Sequence, residues 1–426
     1  LPLNRRAVAV LVLVALGACS PGTGAGPGGP GAKGIEDEGS GSTLATEPAF
    51  QLLGKVVDQE GLPVPEAIIT AGDSVAMSAP DGWFDLALAA TGSISVGKPG
   101  WLGSEVEWDG SSGFIEVPIE PRRLRGLRVA ADVAGDDAEF AAILDLAEAT
   151  AVNTLVFDTK QEGGRVLYDT SVTAAHESGA VVNAYDPVER IRQAHEQGLY
   201  AITRIVTFED WYWAEARPEE AYEGGWINPT VTAGWEYPLA LAEEACSLGF
   251  DEIQFDYVRF PSESTAKASG QLDMTQAERV TVIEGFLREA RLRLHDMGCA
   301  ISADVFGIVV SARDDQGIGQ RPEELSRQLD AFSPMVYPSH YSDGWLGLDE
   351  PNDHPYDVTS DAIDDALDRI EPGVILRPWL QAFWWTNEQI RRSIQAAEDH
   401  EVGWFLWNAV SNFSRSAIPT DAEVEG

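Results

Sequence analysis

The chain has 426 residues, and 29 Lys and Arg against 69 Asp and Glu give it a formal charge of −40. At roughly 100–200 residues per domain, this length predicts two or three domains with a core large enough to need no disulfide or metal. Such a charge repels polyphosphate and argues against nucleic acid as a partner, while 44% hydrophobic and 23% charged residues exclude global disorder.

Arg5 and Arg6 precede a short apolar run, Ala7 to Leu16, that is too brief to span a bilayer. A basic start, an apolar segment and small residues make residues 1–18 a secretory signal. Leu16-Gly17-Ala18-Cys19 resembles the bacterial lipobox, which implies acylation of Cys19 and a chain exported and lipid-anchored to the bacterial cell membrane, facing outside the cytoplasm. Residues 19–49 are rich in Gly, Pro and Ser and read as a flexible linker. Two further cysteines, Cys246 and Cys299, either pair in an oxidising compartment or stay as buried free thiols.

From residue 50 to 121 short alternating runs are separated by turn residues, as in Leu53-Gly54-Lys55-Val56-Val57-Asp58 and Asp81-Gly82-Trp83-Phe84. That spacing predicts a small antiparallel β-sandwich. The series of Gly54, Val56, Asp58, Gly61, Pro63, Val64 and Ala67 followed by Asp81-Gly82-Trp83-Phe84 resembles the carboxypeptidase regulatory-like domain, a spacer or docking module.

Residues 122–418 alternate between strand-like and helix-like segments. Strands are predicted at Leu127–Val133, Val152–Asp158, Tyr200–Val206, Glu252–Val258, Ala300–Val305, Ala331–Tyr337, Val374–Leu380 and Gly403–Trp407. Helical periodicity fills the seven gaps between them, among them Asp136–Thr150, Pro187–Gln197, Thr275–Asp296 and Pro322–Leu329. This is the arithmetic of an α/β (β/α)8 TIM barrel. A doubly wound open sheet is the alternative, but no Gly-rich turn follows the first strand. Residues 419–426 read as a disordered tail.

Chemistry in such a barrel belongs to the C-terminal strand ends. Strand two ends in Asp158 and Lys160, strand three carries Arg204, and strand four ends in Gln254, Asp256, Tyr257 and Arg259. Strand five contributes Asp304, and strand six runs into Tyr337, His340 and Tyr341. Trp379 and Gln381 come from strand seven, Trp407 and Asn408 from strand eight. If Ile253 and Phe255 face the helices, period-two alternation turns Gln254 and Asp256 to the barrel axis, and the same logic turns Asp304 inward. Two carboxylates on adjacent strands then converge at the mouth. The structural alternative is an ion-pair network of Asp158, Lys160, Arg204 and Asp256. Tryptophans in the loops of this face, including Trp211, Trp213, Trp345, Trp384 and Trp385, offer flat apolar surfaces suited to sugar rings. The six histidines, His176, His195, His295, His340, His354 and His400, form no metal-binding pair, so neither metal nor cofactor is expected.

The run Gly249-Phe250-Asp251-Glu252-Ile253-Gln254-Phe255-Asp256-Tyr257-Val258-Arg259-Phe260-Pro261 strongly resembles the signature of a bacterial family of glycoside-hydrolase-like domains. Ser302-Ala303-Asp304-Val305-Phe306-Gly307, Ser333-Pro334-Met335-Val336-Tyr337-Pro338-Ser339-His340-Tyr341, Arg377-Pro378-Trp379-Leu380-Gln381 and Leu406-Trp407-Asn408 match in order. The sequence departs from the pattern at Trp226 to Tyr237, where a loop is shortened, and at the weakly matched first strand. The resemblance implies an α-amylase-like barrel, with the nucleophile or base ending strand four, Asp256, and the general acid ending strand five, Asp304. Glu209 or Asp210 stands as an alternative second carboxyl. Lys160 and Arg204 would hold Asp256 ionised, and burial would keep Asp304 protonated. The remaining strand-end residues named above would contact a carbohydrate substrate, an extracellular or envelope polysaccharide. A non-catalytic glycan-binding surface lipoprotein is the competing expectation. A chitinase mechanism is disfavoured, because Val258 stands where chitinases carry their acid Glu.

Overall fold

The computed structural model describes residues 50–222, 224–262 and 271–424. Cys19, the signal and the linker lie outside the described residues. Residues 50–121 form two small facing sheets and a further two-stranded pair, Trp101–Leu102 with Glu120–Pro121. In one, Phe50–Val57 pairs antiparallel with Trp83–Leu88 and parallel with Phe114–Pro118. The other contains Ile68–Ala71, Ser74–Met77, Gly92–Gly97 and Ser104–Trp108. Alternation along each strand sends Leu52, Phe84, Leu86, Ile94 and Val96 into one core between them.

Eight parallel staves close the second region into a (β/α)8 barrel. They are β1 (Arg125–Arg128), β2 (Thr154–Lys160), β3 (Tyr200–Val206), β4 (Glu252–Asp256), β5 (Ala300–Phe306), β6 (Ala331–Val336), β7 (Ile375–Leu376 with Trp379–Gln381) and β8 (Trp404–Trp407). Each pairs with the next, and β8 returns to β1. The break in β7 falls at Pro378, which has no N–H to give the ladder. Outward residues such as Phe157, Ile253, Phe255 and Ile301 pack against the helices. A much smaller apolar plug, centred on Val156, Ile202, Trp379 and Phe405, fills the barrel's interior, and polar side chains sit above it.

The helices begin where the sequence supplies caps. Asp136 accepts from Ala138 and Glu139 to start α1 (Asp137–Glu148), and Asp186 with Pro187 starts α2 (Pro187–Glu196). After α3 (Glu236–Leu248), Thr275 and Glu278 form a capping box for α4 (Gln276–Met297). Gly249 and Gly298 end α3 and α4 at φ 109° and 88°, a conformation only glycine adopts freely. The ring is completed by α5 (Pro322–Leu325), α6 (Pro355–Leu367) and α7 (Asn387–Asp399). Among the described residues no helix is long and apolar enough to cross a membrane.

Two expectations are corrected, and one open alternative is decided. The first strand ends at Arg128 rather than Val133: Ala130 N–H is taken by Ser411 Oγ at 2.7 Å, and Ala131–Gly135 coils into a short helix. The tail is not disordered through 424. Ala417 and Ile418 join the core, Pro419 accepts from Ala151 N–H, and Asp421–Val424 is helical, tied to α7 through Arg391 and Glu423 at 2.6 Å. Of the two alternatives for Cys246 and Cys299, the pair is the one formed, a disulfide linking the end of α3 to the start of β5.

Candidate active site

The polar layer above the interior plug opens into a cleft of about 560 Å³ at the C-terminal end of the barrel. Asp256 and Asp304 both line it. Arg204, which enters from β3, organises its charged floor. Its Nε donates to Asp256 Oδ2 at 2.8 Å and lies 3.9 Å from Asp304 Oδ2. Its Nη1 donates to Asp158 Oδ1 at 3.0 Å, and its Nη2 bonds Glu162, on the loop after β2. Asp158 is held from the other side by Arg128 at 2.5 Å. The indole of Trp407 packs beneath both guanidinium groups, with centroid distances of 4.7 and 4.8 Å.

The two cleft carboxylates differ in what surrounds them. Asp256 is the last residue of β4, and the next residue, Tyr257, takes φ 48°. That left-handed turn, costly for a non-glycine residue, aims Tyr257 N–H at Asp256 Oδ1, 2.6 Å away. Burial raises the Asp256 pKa, and Arg204, whose Nε and Nη2 both reach Oδ2, opposes it. Asp304 is 1% exposed, and the cation nearest it among the described residues is Arg204 at 3.9 Å. Burial, and then the charge of Asp256, push its pKa well above the usual carboxylate range. Its Oδ1 accepts the indole N–H of Trp379 at 2.7 Å, which leaves Oδ2 to carry the proton on the side of Arg204 and Asp256. Both carboxyls are thus shifted toward the neutral form, Asp304 the more strongly, and Asp256 beside Arg204 is the one whose charge has a cation to oppose that shift. Gly307 keeps the wall open: a Cβ there would lie 2.4 Å from Met335 O and 2.9 Å from Tyr341 Oη.

Residues 126–413 match the family described as "Putative glycosyl hydrolase domain". The chain belongs to this family. Among solved structures, the glycosyl hydrolase domain resembles a hypothetical protein from Ruminiclostridium thermocellum ATCC 27405 at 32% identity, covering 42% of this chain and 97% of that one, TM-score 0.36. It also resembles the PgaB (BpsB) glycoside hydrolase domain from Bordetella bronchiseptica at 12% identity, covering 68% and 95%, TM-score 0.51; that likeness is one of fold. No curated protein matches.

Within this glycosyl hydrolase domain, the cleft gathers Asp256, Asp304, Arg204, Tyr257, Tyr337, His340, Tyr341, Trp379 and Trp407, all expected from the sequence. Asp158 supports the floor from behind Arg204. Lys160 does not belong to the cleft. The β2 register shifts between Asp158 and Lys160, so strict alternation fails, and the ammonium is buried against Asp210 Oδ2 at 2.6 Å and Thr207 O at 3.2 Å. Gln254 points inward but one layer too deep, against Ser333 Oγ. Gln381 braces the loop after β6 by accepting from Ser339 N–H, and Asn408 fastens the turn that follows β8. Arg259 is buried beside the cleft, among aromatic rings.

Neither alternative second carboxyl is among the residues that line the cleft. Asp210 caps the helix Trp211–Ala216 and pairs with Lys160, while Glu209 accepts from Gly163 N–H at 2.6 Å. Of the loop tryptophans only Trp345 lines the cleft; Trp213 stacks on Tyr237, and Trp384 is 87% exposed. Sequence reasoning missed Glu162, two residues past Lys160, although its side chain is 42% exposed at the cleft and bonded to Arg204. Its only local signal is a Glu before Gly163-Gly164, where the chain leaves the strand. His340 sits at the exposed rim, and partial burial lowers its pKa. Among the described residues no group of three or more His, Cys, Asp or Glu is arranged to hold a metal ion.

Proposed function

We propose that this chain hydrolyses a glycosidic bond in an extracellular or envelope polysaccharide, with Asp256 as nucleophile and Asp304 as general acid. The observation that carries this reading is the shared Nε of Arg204, 2.8 Å from one carboxylate oxygen and 3.9 Å from the other. Those oxygens can be no farther apart than the two distances laid end to end. That bound admits the separation of about 5–5.5 Å used for retention and reaches only the lower edge of the about 6.5–9.5 Å used for inversion, and the retaining route is the one proposed. Asp304 Oδ2 gives its proton to the leaving oxygen as Asp256 bonds to the anomeric carbon. Water, deprotonated by the same Asp304, then releases the sugar with its original anomeric configuration. Tyr257, Tyr337, Tyr341, Trp345 and Trp379 surround the reacting ring with apolar faces and hydroxyl or N–H edges.

The test is a panel of polysaccharides with product anomers followed by NMR. Asp256→Asn and Asp304→Asn should each lose at least about 10²–10⁴-fold in rate while remaining folded. Normal rates in both variants overturn the assignment. Binding without product, unaffected by Asp256→Asn, points instead to a glycan-binding protein.

We further propose that Cys19 carries a lipid anchor that holds the barrel outside the cytoplasm, with the β-sandwich, read as a carboxypeptidase regulatory-like spacer, between anchor and barrel. The Cys246–Cys299 disulfide supports an oxidising compartment. Replacing Cys19 by Ser should move the protein from the membrane fraction to the soluble fraction; retention in the membrane refutes the anchor.

A further inference from the structure

Six arginines in the described chain are less than a tenth exposed: Arg128, Arg190, Arg204, Arg259, Arg279 and Arg377. Five of them hold a carboxylate within ion-pair distance. Arg259, 6% exposed, holds none among the described residues. Its guanidinium is boxed by the rings of Phe306 at 4.5 Å, Trp226 at 4.8 Å and Tyr257 at 4.9 Å. Two of those rings, Tyr257 and Phe306, also line the cleft.

A buried cation without a counter-ion is costly, and ring faces replace only part of the lost hydration. The carboxylates that influence Arg259 from a distance, Asp256 and Glu209, are already bonded to Arg204 and to Gly163 N–H. Among the described residues only Nη1 of Arg259 is used, donating to Phe260 O at 3.0 Å. Nε and Nη2 make no hydrogen bond among the described residues and are not among the sealed, unpartnered atoms of the interior. Those two nitrogens form the side of a guanidinium that grips a carboxylate with two parallel bonds.

We propose that Arg259 is the seat of an acid group on the substrate, so that the cleft takes a glycan containing a carboxylate-bearing sugar. The inference rests on the glycoside-hydrolase reading above and adds the substrate's charge class. The charge of −40 does not oppose it at close range, because exposed charges are screened beyond about 8 Å at physiological salt, whereas Arg259 acts inside a low-dielectric niche. Long-range repulsion still disfavours densely charged polymers, so spaced acid groups are expected.

The carboxylate can belong to a uronic acid or to an ether-linked acid substituent. The probes are therefore a glucuronate-bearing xylan and muramate-containing glycan strands freed of peptide, each beside its carboxyl-reduced copy. Binding is measured on the full chain carrying Asp304→Asn to stop turnover. At least one acidic probe should bind tenfold or more tightly than its reduced copy. Adding Arg259→Gln should erase that preference while binding of the reduced copy stays within about twofold, and Arg259→Lys should retain part of it.

Equal binding of acidic and reduced forms overturns the proposal and needs no folded Arg259 variant to do so. A preference that survives Arg259→Gln or Arg259→Met also overturns it. If the wild type cleaves neutral glycans and ignores the acid group, the proposal fails while the glycosidase reading stands. If it neither binds nor cleaves any glycan of either kind, both fail.

Discussion

At the scale of single residues, the site depends on two aspartates with different surroundings. Asp256 has a guanidinium and a backbone N–H; Asp304 has an indole N–H and the nearby charge of Asp256. Burial lifts the Asp304 pKa in the folded state, so folded protein keeps a proton that the unfolded chain has already released. The resulting stabilisation is complete below the ordinary aspartate value and is lost as pH rises toward the folded value. Asn mimics the protonated acid and does not titrate. Asp304→Asn should therefore gain stability relative to wild type on moving from pH 4 to pH 7 in urea unfolding, while losing activity. A constant difference across that range would show that Asp304 ionises normally in the fold.

At the scale of elements, Arg204 binds the outputs of three strands. It ties Asp158 on β2 and Asp256 on β4 to its own β3, and draws in the loop bearing Glu162. The ion-pair network considered from the sequence as a structural alternative thus exists, without Lys160, and it forms the floor of the cleft. Arg204→Met would leave Asp158 and Asp256 buried with one partner fewer, a loss of about 3–5 kcal/mol. Chemical denaturation should register it; a cost below about 1 kcal/mol would mean that the carboxylates are far better hydrated than their burial implies. Because the same side chain sets the state of Asp256, activity should fall with stability. Alternation predicted the inward direction of Asp256 and Asp304 because a strand's two-residue period is local. It failed at Lys160 because a register shift in β2 is a property of the pairing with β3.

At the scale of the whole molecule, acidity is the dominant feature. A chain of −40 repels itself in the compact state. Salt shortens the range of that repulsion from about 30 Å at 0.01 M to about 3 Å at 1 M. The melting temperature should therefore rise between those salt concentrations, despite the weakening of exposed pairs such as Arg192 with Glu189, each of which contributes little. A melting temperature that falls with salt would mean that surface ion pairs outweigh the net repulsion. The contact between the two regions adds to this balance: Ile375 of β7 packs against the sandwich core, and Arg291 of α4 pairs with Glu66.

The amino-acid sequence by itself determined the eight-stave barrel and its order of elements, and it placed Asp256 and Asp304 on the inner face at strand ends. Periodicity, caps such as Asp136 and Thr275, and the Gly at 249 and 298 are all local signals, legible within a few residues. Only the tertiary structure decided which charges meet. Lys160 finds Asp210 rather than Asp256, Glu162 joins Arg204, Cys246 meets Cys299 across 53 residues, and Arg259 is left among rings with no carboxylate paired to it among the described residues. Partner choice depends on shear, loop path and the small shift in β2, and these are settled only when distant strands lie side by side.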